Sequence, residues 1–209
     1  MSPSRPLKNA VYAEIGRLGK ALASPARLEI LDLLSQGPKT VEAVAQGTGL
    51  AFANASQHLK VLRLARMIEA EKHGTYVEYR LASPEVADFL LSFRKLAETR
   101  LTEIERLTRA FSEDRSTMER LEPRSLLQRV QDGVILLDVR PADEYRAGHL
   151  PGAVSIPVTE LQKRLAELPM DRDVVAYCRG PYCLMAVEAV TTLRKKGYSA
   201  NRSEIGVPE

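Results

Sequence analysis

Cys178 and Cys183 make up the whole thiol content of the chain, and both fall in one six-residue stretch, Cys178-Arg179-Gly180-Pro181-Tyr182-Cys183. Before it comes a β-branched run, Val174-Val175-Ala176-Tyr177; after it comes a good helical run from Leu184 to Lys196. The stretch therefore reads as a tight loop between a strand and a helix. At such a junction backbone N–H groups converge and the helix dipole adds partial positive charge, so a thiol placed there favours its anionic form. Arg179 adds a full positive charge next in sequence. Cys178 is expected to be an accessible thiolate of low pKa, a nucleophile and sulfur carrier; the competing reading is a buried cysteine beside a structural turn. The amides expected to cradle its sulfur are those of Arg179, Gly180, Tyr182, Cys183 and Leu184, since Pro181 has none to offer. Cys183 is either a resolving thiol for Cys178 or a residue packed at the helix start.

Oxyanion chemistry on a related loop would want Cys-x5-Arg, and position 184 is Leu. Metal chemistry would need Cys, His or carboxylate ligands clustered on one helix or at a dimer seam. The first half has no Cys, and its His58 and His73 have another use argued below. No metal and no cofactor are expected.

A second chemistry lies upstream. No acidic residue occurs between Glu42 and Glu69, while Lys60, Arg63 and Arg66 do. Residues 1–111 carry 16 Lys+Arg against 12 Asp+Glu, and 112–209 carry 14 against 15, so the net charge of +3 belongs to the first half. A basic stripe of this kind suits a phosphate backbone, although many solvated helix faces look alike.

The elements that must position these groups can be read in order. Leu7, Val11, Ile15, Leu18 and Leu22 give an amphipathic helix over 7–23. Ser24-Pro25 opens a second that Gly37-Pro38 stops. A short third helix over Thr40 to Gln46 breaks at Gly47-Thr48-Gly49. The fourth starts near Ala51, with Ala55, Leu59 and Leu62 on one face and Ser56, Lys60 and Arg63 on another. Short helix, turn and polar-faced helix is the helix-turn-helix plan. Met67–Lys72 and Tyr76–Leu81 then form a hairpin, which completes a winged helix. Ser83-Pro84 opens an apolar stripe running to Leu107, long enough that one small domain does not cover it, so a homodimer is expected, against a solitary bundle helix. From Pro123 onward strands (134–139, 153–156, 173–177) alternate with helices, which implies a parallel α/β layer.

Two resemblances follow from these residues. Ser24-Pro25-Ala26-Arg27-Leu28-Glu29-Ile30-Leu31 and Ala55-Ser56-Gln57-His58-Leu59-Lys60-Val61-Leu62 resemble the ArsR family of bacterial repressors over about residues 7–110. The Cys178–Cys183 loop resembles the active loop of single-domain rhodaneses. So do Leu136-Leu137-Asp138-Val139-Arg140-Pro141 and Gly148-His149-Leu150-Pro151-Gly152-Ala153, the other two hallmark segments. The winged helix implies that Asn54, Ser56, Gln57 and His58 reach base edges of a double-stranded operator and Lys60 and Arg63 reach phosphates. Lys72, His73, Gly74 and Thr75 at the wing tip touch the neighbouring backbone or minor groove. A helix-turn-helix used only for packing is the alternative. The rhodanese likeness implies a persulfide on Cys178, taken from a small sulfane-sulfur donor and passed to a thiol acceptor. Asp138 and Arg140 are expected to be structural braces near the site, Asp143 and Glu144 a solvated helix start, and His149 part of the fold signature. Rhodanese-like chains commonly close with Gly-x-x-x-Trp; here Ile205-Gly206-Val207-Pro208-Glu209 stands instead and the chain has no Trp, so a less completely covered core is expected.

The expected fold is thus two domains. A mainly α winged helix-turn-helix, residues 1–111, binds DNA and dimerises. Residues 112–122 are a linker or helix end, and 123–209 form an α/β rhodanese-like domain with a parallel sheet. The function expected is a DNA-binding regulator, a repressor, whose sulfur state is coupled to DNA binding, with thiosulfate-type sulfurtransferase activity. The alternatives are an enzyme that uses the winged helix mainly to dimerise, and a rhodanese fold kept as a non-catalytic sensing module. No run approaches the roughly 20 apolar residues of a membrane span, and Met1–Pro6 lacks a signal-peptide core, so a cytoplasmic protein with no membrane partner is expected.

Overall fold

The computed structural model describes residues 4–111, 118–119, 123–203 and 205–207. The chain divides into two compact units, Met1–Ser92 and Phe93–Glu209. The division falls inside a helix and not at residue 111. The expected connector, 112–122, lies outside the described residues apart from Met118 and Glu119.

The first unit begins with α1 (Ser4–Leu22) and α2 (Pro25–Leu34). Ser24 occupies the N-cap position of α2, but its side chain makes no capping bond. The fixed φ of Pro25 is what suits that start. Lys39–Thr40 form β1, and the Thr40 hydroxyl caps α3 (Val41–Thr48) by accepting from the Ala43 amide at 3.3 Å. Helix α4 (Phe52–Leu64) buries Ala55, Leu59 and Leu62, spaced so that one face alone meets the core. Strands β2 (Ile68–His73) and β3 (Tyr76–Leu81) pair antiparallel, with β1 on the far side of β3. Gly74 has φ of 60° and His73 pairs with Tyr76. A two-residue turn with positive φ at its first central position only demands Gly there. Ile30, Leu31, Val44, Leu59, Leu62 and Ile68 form the heart of this unit's core.

The helix expected over 84–111 is two helices, α5 (Pro84–Arg100) and α6 (Thr102–Phe111). No Gly or Pro marks the break at Leu101, which keeps its own amide bond to Ala97 at 2.8 Å.

In the second unit α7 (Pro123–Gln131) leads into β5 (Ile135–Asp138), followed by α8 (Ala142–Ala147), β6 (Val154–Ser155), the single-turn α9 (Leu161–Arg164), β7 (Val174–Tyr177), α10 (Met185–Lys195) and β8 (Ala200–Ser203). Met118–Glu119 form β4, and the sheet order is β4-β8-β7-β5-β6 with every neighbouring pair parallel. The helical stretch between β6 and β7 is α9 followed by one 3-10 turn, Leu165–Glu167. All four residues of β7 are buried, because both faces of the sheet are covered. Among the described residues no helix is long and apolar enough to cross a membrane.

Candidate sulfur site and nucleic-acid interface

From β5 the sheet grows one way to β6 and the other way to β7. Such a switch point leaves a crevice at the carboxyl ends of the strands. Asp138 ends β5 directly beside Tyr177, which ends β7, and Cys178 is the next residue of the chain.

Cys178 is only 2% exposed. Its Sγ points to the carbonyl oxygens of Cys183, at 3.6 Å, and Gly180, at 4.0 Å. The Cys183 thiol and the amides of Gly180 and Ala186 lie close enough to influence it. The neighbouring Cys183 thiol, then burial, push the Cys178 thiol above its ordinary range. The accessibility expected of Cys178 is therefore not found. Cys183 is half-buried, and its thiol is drawn down to about 6. The neighbouring Cys178 thiol is the largest cause; the amides of Arg179 and Met185 and the Arg179 charge add to it and burial opposes it. Greater exposure and the Arg179 charge favour the anion on Cys183 over Cys178.

The amides that meet the sulfurs are those of Arg179 and Gly180, from the expected set, and of Met185 and Ala186, which were not expected. The latter two belong to the first turn of α10, whose N–H groups have no partner within the helix. The Cys183 amide instead donates to the Gly180 carbonyl at 3.2 Å. Tyr182 and Leu184 are exposed and flank Cys183 at the surface.

Arg179 does not stand as an unmatched cation. Its Nε and Nη2 donate to the two carboxylate oxygens of Glu144 at 3.0 and 2.7 Å. Glu144 is 1% exposed, so it is no solvated helix start; its neighbour Asp143 is exposed. Bidentate geometry of this kind fixes the guanidinium plane and so holds the loop's second residue.

Beneath the loop lies a second buried network. Arg140 grips Asp138 through Nε at 3.0 Å and Nη2 at 2.6 Å, and reaches the Gly148 carbonyl at 2.7 Å. The Tyr177 hydroxyl donates to Asp138 at 2.6 Å and accepts from the Leu150 amide at 3.1 Å. This ties both strand ends to the segment 148–150. His149 is exposed, and its ring stacks on Tyr145 with centroids 3.9 Å apart.

Gly206 completes the site from the C-terminal tail. A Cβ built there would lie 2.6 Å from the Arg179 carbonyl carbon and the Gly180 nitrogen, and 2.7 Å from the Cys178 oxygen. The tail thus lies against the loop's own backbone, with Ile205 and Val207 packed onto the core cluster of Leu136, Val175 and Tyr177. Sequence reasoning missed Gly206 and Glu144. The carboxylate at the buried side of so short a helix, and a glycine between two aliphatic residues, were the signals available.

In the first unit Asn54, Ser56, Gln57, Lys60 and Arg63 are all exposed on α4, and His58 is half-buried. Lys72, Gly74 and Thr75 are exposed at the wing tip. His73 lies 3.5 Å from Glu78 and stacks on Tyr76, so the tip is less plainly basic than expected. A cleft between the end of α4 and the wing is lined by Arg63, Arg66 and Arg80 together with Glu69 and Glu71. Arg66 and Arg80 were not among the expected contacts. Among the described residues no group of three or more His, Cys, Asp or Glu side chains is placed to hold a metal ion.

Two family models match: the bacterial regulatory protein, arsR family, over residues 24–70, and the rhodanese-like domain over residues 122–203. An HTH-type transcriptional regulator of Mycobacterium tuberculosis is 43% identical over 97% of this chain and 89% of its own length. A sulfurtransferase of Allochromatium vinosum is 36% identical over 37% of this chain and 73% of its own. The solved homodimeric winged helix-turn-helix DNA-binding domain of a possible ArsR-family regulator from Mycobacterium bovis is 39% identical, with a TM-score of 0.44, covering 48% of this chain and 91% of that one.

Proposed function

We propose, for a chain that belongs to the ArsR-family HTH-type transcriptional regulators and carries a rhodanese-like domain, a repressor that binds operator DNA as a homodimer and loads sulfane sulfur onto its loop thiols. Residues 1–111 bind DNA and dimerise, residues 112–122 connect, and residues 123–209 carry the sulfur chemistry. The exposed face of α4 enters the major groove, Asn54, Ser56, Gln57 and His58 toward bases and Lys60 and Arg63 toward phosphates, while the wing tip meets the flanking backbone. Dimerisation is supported by Leu7, Val11, Tyr12 and Ile15, which α1 leaves exposed along one stripe, more apolar surface than a lone soluble helix ordinarily presents.

The observation that carries the sulfur half is a pair of thiols in one loop, met by four backbone amides. In sulfur uptake a thiolate attacks the outer sulfur of a donor such as thiosulfate. A cysteine–sulfur bond forms, the sulfur–sulfur bond to sulfite breaks, and sulfite leaves with the electron pair. The amides stabilise the negative terminal sulfur until an acceptor thiol removes it. Loading then changes operator affinity.

Uptake of labelled thiosulfate sulfur by the full chain tests the reading, together with anisotropy titrations on DNA flanking its own gene at several salt concentrations. It expects label retained by the wild type and lost from the Cys178→Ser, Cys183→Ser double variant, and steeply salt-dependent DNA binding. Label retained by the double variant, or salt-independent binding, contradicts it.

A further inference from the structure

Helix α4 ends in a Schellman motif. The Arg66 amide donates to the Arg63 carbonyl and the Met67 amide to the Leu62 carbonyl, each at 3.0 Å, and Leu62 and Met67 are both buried. Such an ending needs a left-handed residue just past the helix, and that residue is Arg66, with φ of 58°. Glycine takes this position without strain, and α3 ends that way on Gly49, with φ of 68°. Among the described residues Arg66 is the one non-glycine at positive φ. Strain of this kind persists where the side chain itself is needed. The core does not need it, because Arg66 is exposed. What it serves therefore lies outside the fold.

Arg63 and Arg66 line the cleft between the end of α4 and the wing, together with Arg80 of β3. Of the two carboxylates there, Glu69 is engaged by Arg80 at 2.8 Å and Glu71 lies 3.9 Å from His73. Among the described residues no carboxylate pairs with Arg63 or Arg66. A duplex that takes α4 in its major groove and the wing tip at its flanking backbone carries a phosphate strand across the surface between the two. We propose that Arg66 is a phosphate-binding residue of the DNA interface, holding with Arg63 the sugar-phosphate strand that crosses this cleft. This rests on the reading that α4 enters the major groove. The guanidinium fork matches two oxygens of one phosphate. Such a contact sets the register of the protein on the duplex and reads no bases. The two amide bonds of the Schellman motif fix the backbone from which the side chain starts, so less freedom is lost on binding than from a frayed helix end.

The test titrates the full chain by fluorescence anisotropy onto a duplex flanking its own gene and onto an unrelated duplex of equal length, at several salt concentrations, with urea denaturation of the same samples. Arg66→Gly is expected to keep or raise the denaturation midpoint, because the strained position is relieved. The same variant is expected to bind both duplexes about tenfold more weakly and to lower the salt slope by about one per bound protomer. Arg66→Lys keeps a charge on the same backbone and is expected to stay within about threefold of the wild type on both duplexes. Stability and affinity thus move apart, which a residue serving the fold alone does not produce. The inference is overturned, with the winged-helix reading left standing, if Arg66→Gly keeps wild-type affinity and slope, loses affinity for its own duplex alone, or loses affinity only in step with stability. A wild-type chain whose binding is independent of salt overturns that reading, and this inference with it.

Discussion

At the residue scale the decisive feature is the unequal setting of two thiols in one loop. Cys183 is held near 6 against an ordinary 9.0, while Cys178 is pushed up. Below pH 6 both states of the chain hold both thiol protons. Between about 6 and 9 the folded loop has released one proton and the unfolded chain keeps both, so stability rises with pH. Above 9 the unfolded chain loses both while folded Cys178 keeps its own, so stability falls. Urea unfolding of the second unit, followed by circular dichroism, is expected to show this maximum near pH 9, and Cys183→Ser is expected to abolish its acidic limb. Alkylation with iodoacetamide is expected to label Cys183 ahead of Cys178, with a midpoint near pH 6 that moves upward in Cys178→Ser. Glu144 supplies a second residue-scale expectation. Replacing it with Ala removes the carboxylate that holds the partly exposed Arg179 guanidinium, and breaking a partly buried pair from one side costs about 1–3 kcal/mol. Chemical denaturation of Glu144→Ala against the wild type checks it, and a cost near zero would show that the bidentate pair is only a surface contact.

At the scale of elements, the loop is shaped from three sides: by the end of β7, by the first turn of α10 and by the tail. Gly206→Ala puts a Cβ into backbone, which cannot yield as a side-chain tip can. It is expected to lower stability by about 1–3 kcal/mol and to shift the Cys183 alkylation midpoint upward; an unchanged midpoint would mean the tail does not set the loop's shape. Much of this architecture was legible in the residues. The Ser24-Pro25 start, the α4 face of Ala55, Leu59 and Leu62, the hairpin turn at Gly74 and the strand–loop–helix around Cys178 all followed from period and turn chemistry. What was not legible depends on distant parts of the chain meeting. The strand Ala200–Ser203 reads as polar because its partner β7 supplies the apolar context. Glu144 reads as solvated because its partner lies 35 residues away, on the loop. The burial of Cys178 against half-buried Cys183 is something that a spacing of five residues does not reveal.

At the scale of the whole molecule, regulation requires DNA contact, dimerisation and sulfur uptake in one chain. Ile15→Glu places a charge in the middle of the exposed stripe of α1. It is expected to yield monomers by sedimentation and to weaken operator binding about a hundredfold, since each half-site then binds alone. Lys60→Ala is expected to weaken binding to all sequences alike and to reduce the salt slope by about one, which anisotropy at several salt concentrations reads directly. The most direct measurement of the central claim is a footprint of the full chain on DNA flanking its own gene, with the protein reduced and then treated with thiosulfate. Protection that differs between the two states in the wild type, and not in the Cys178→Ser, Cys183→Ser double variant, is the result expected. Identical footprints before and after treatment of a wild-type chain shown to have reacted would contradict it.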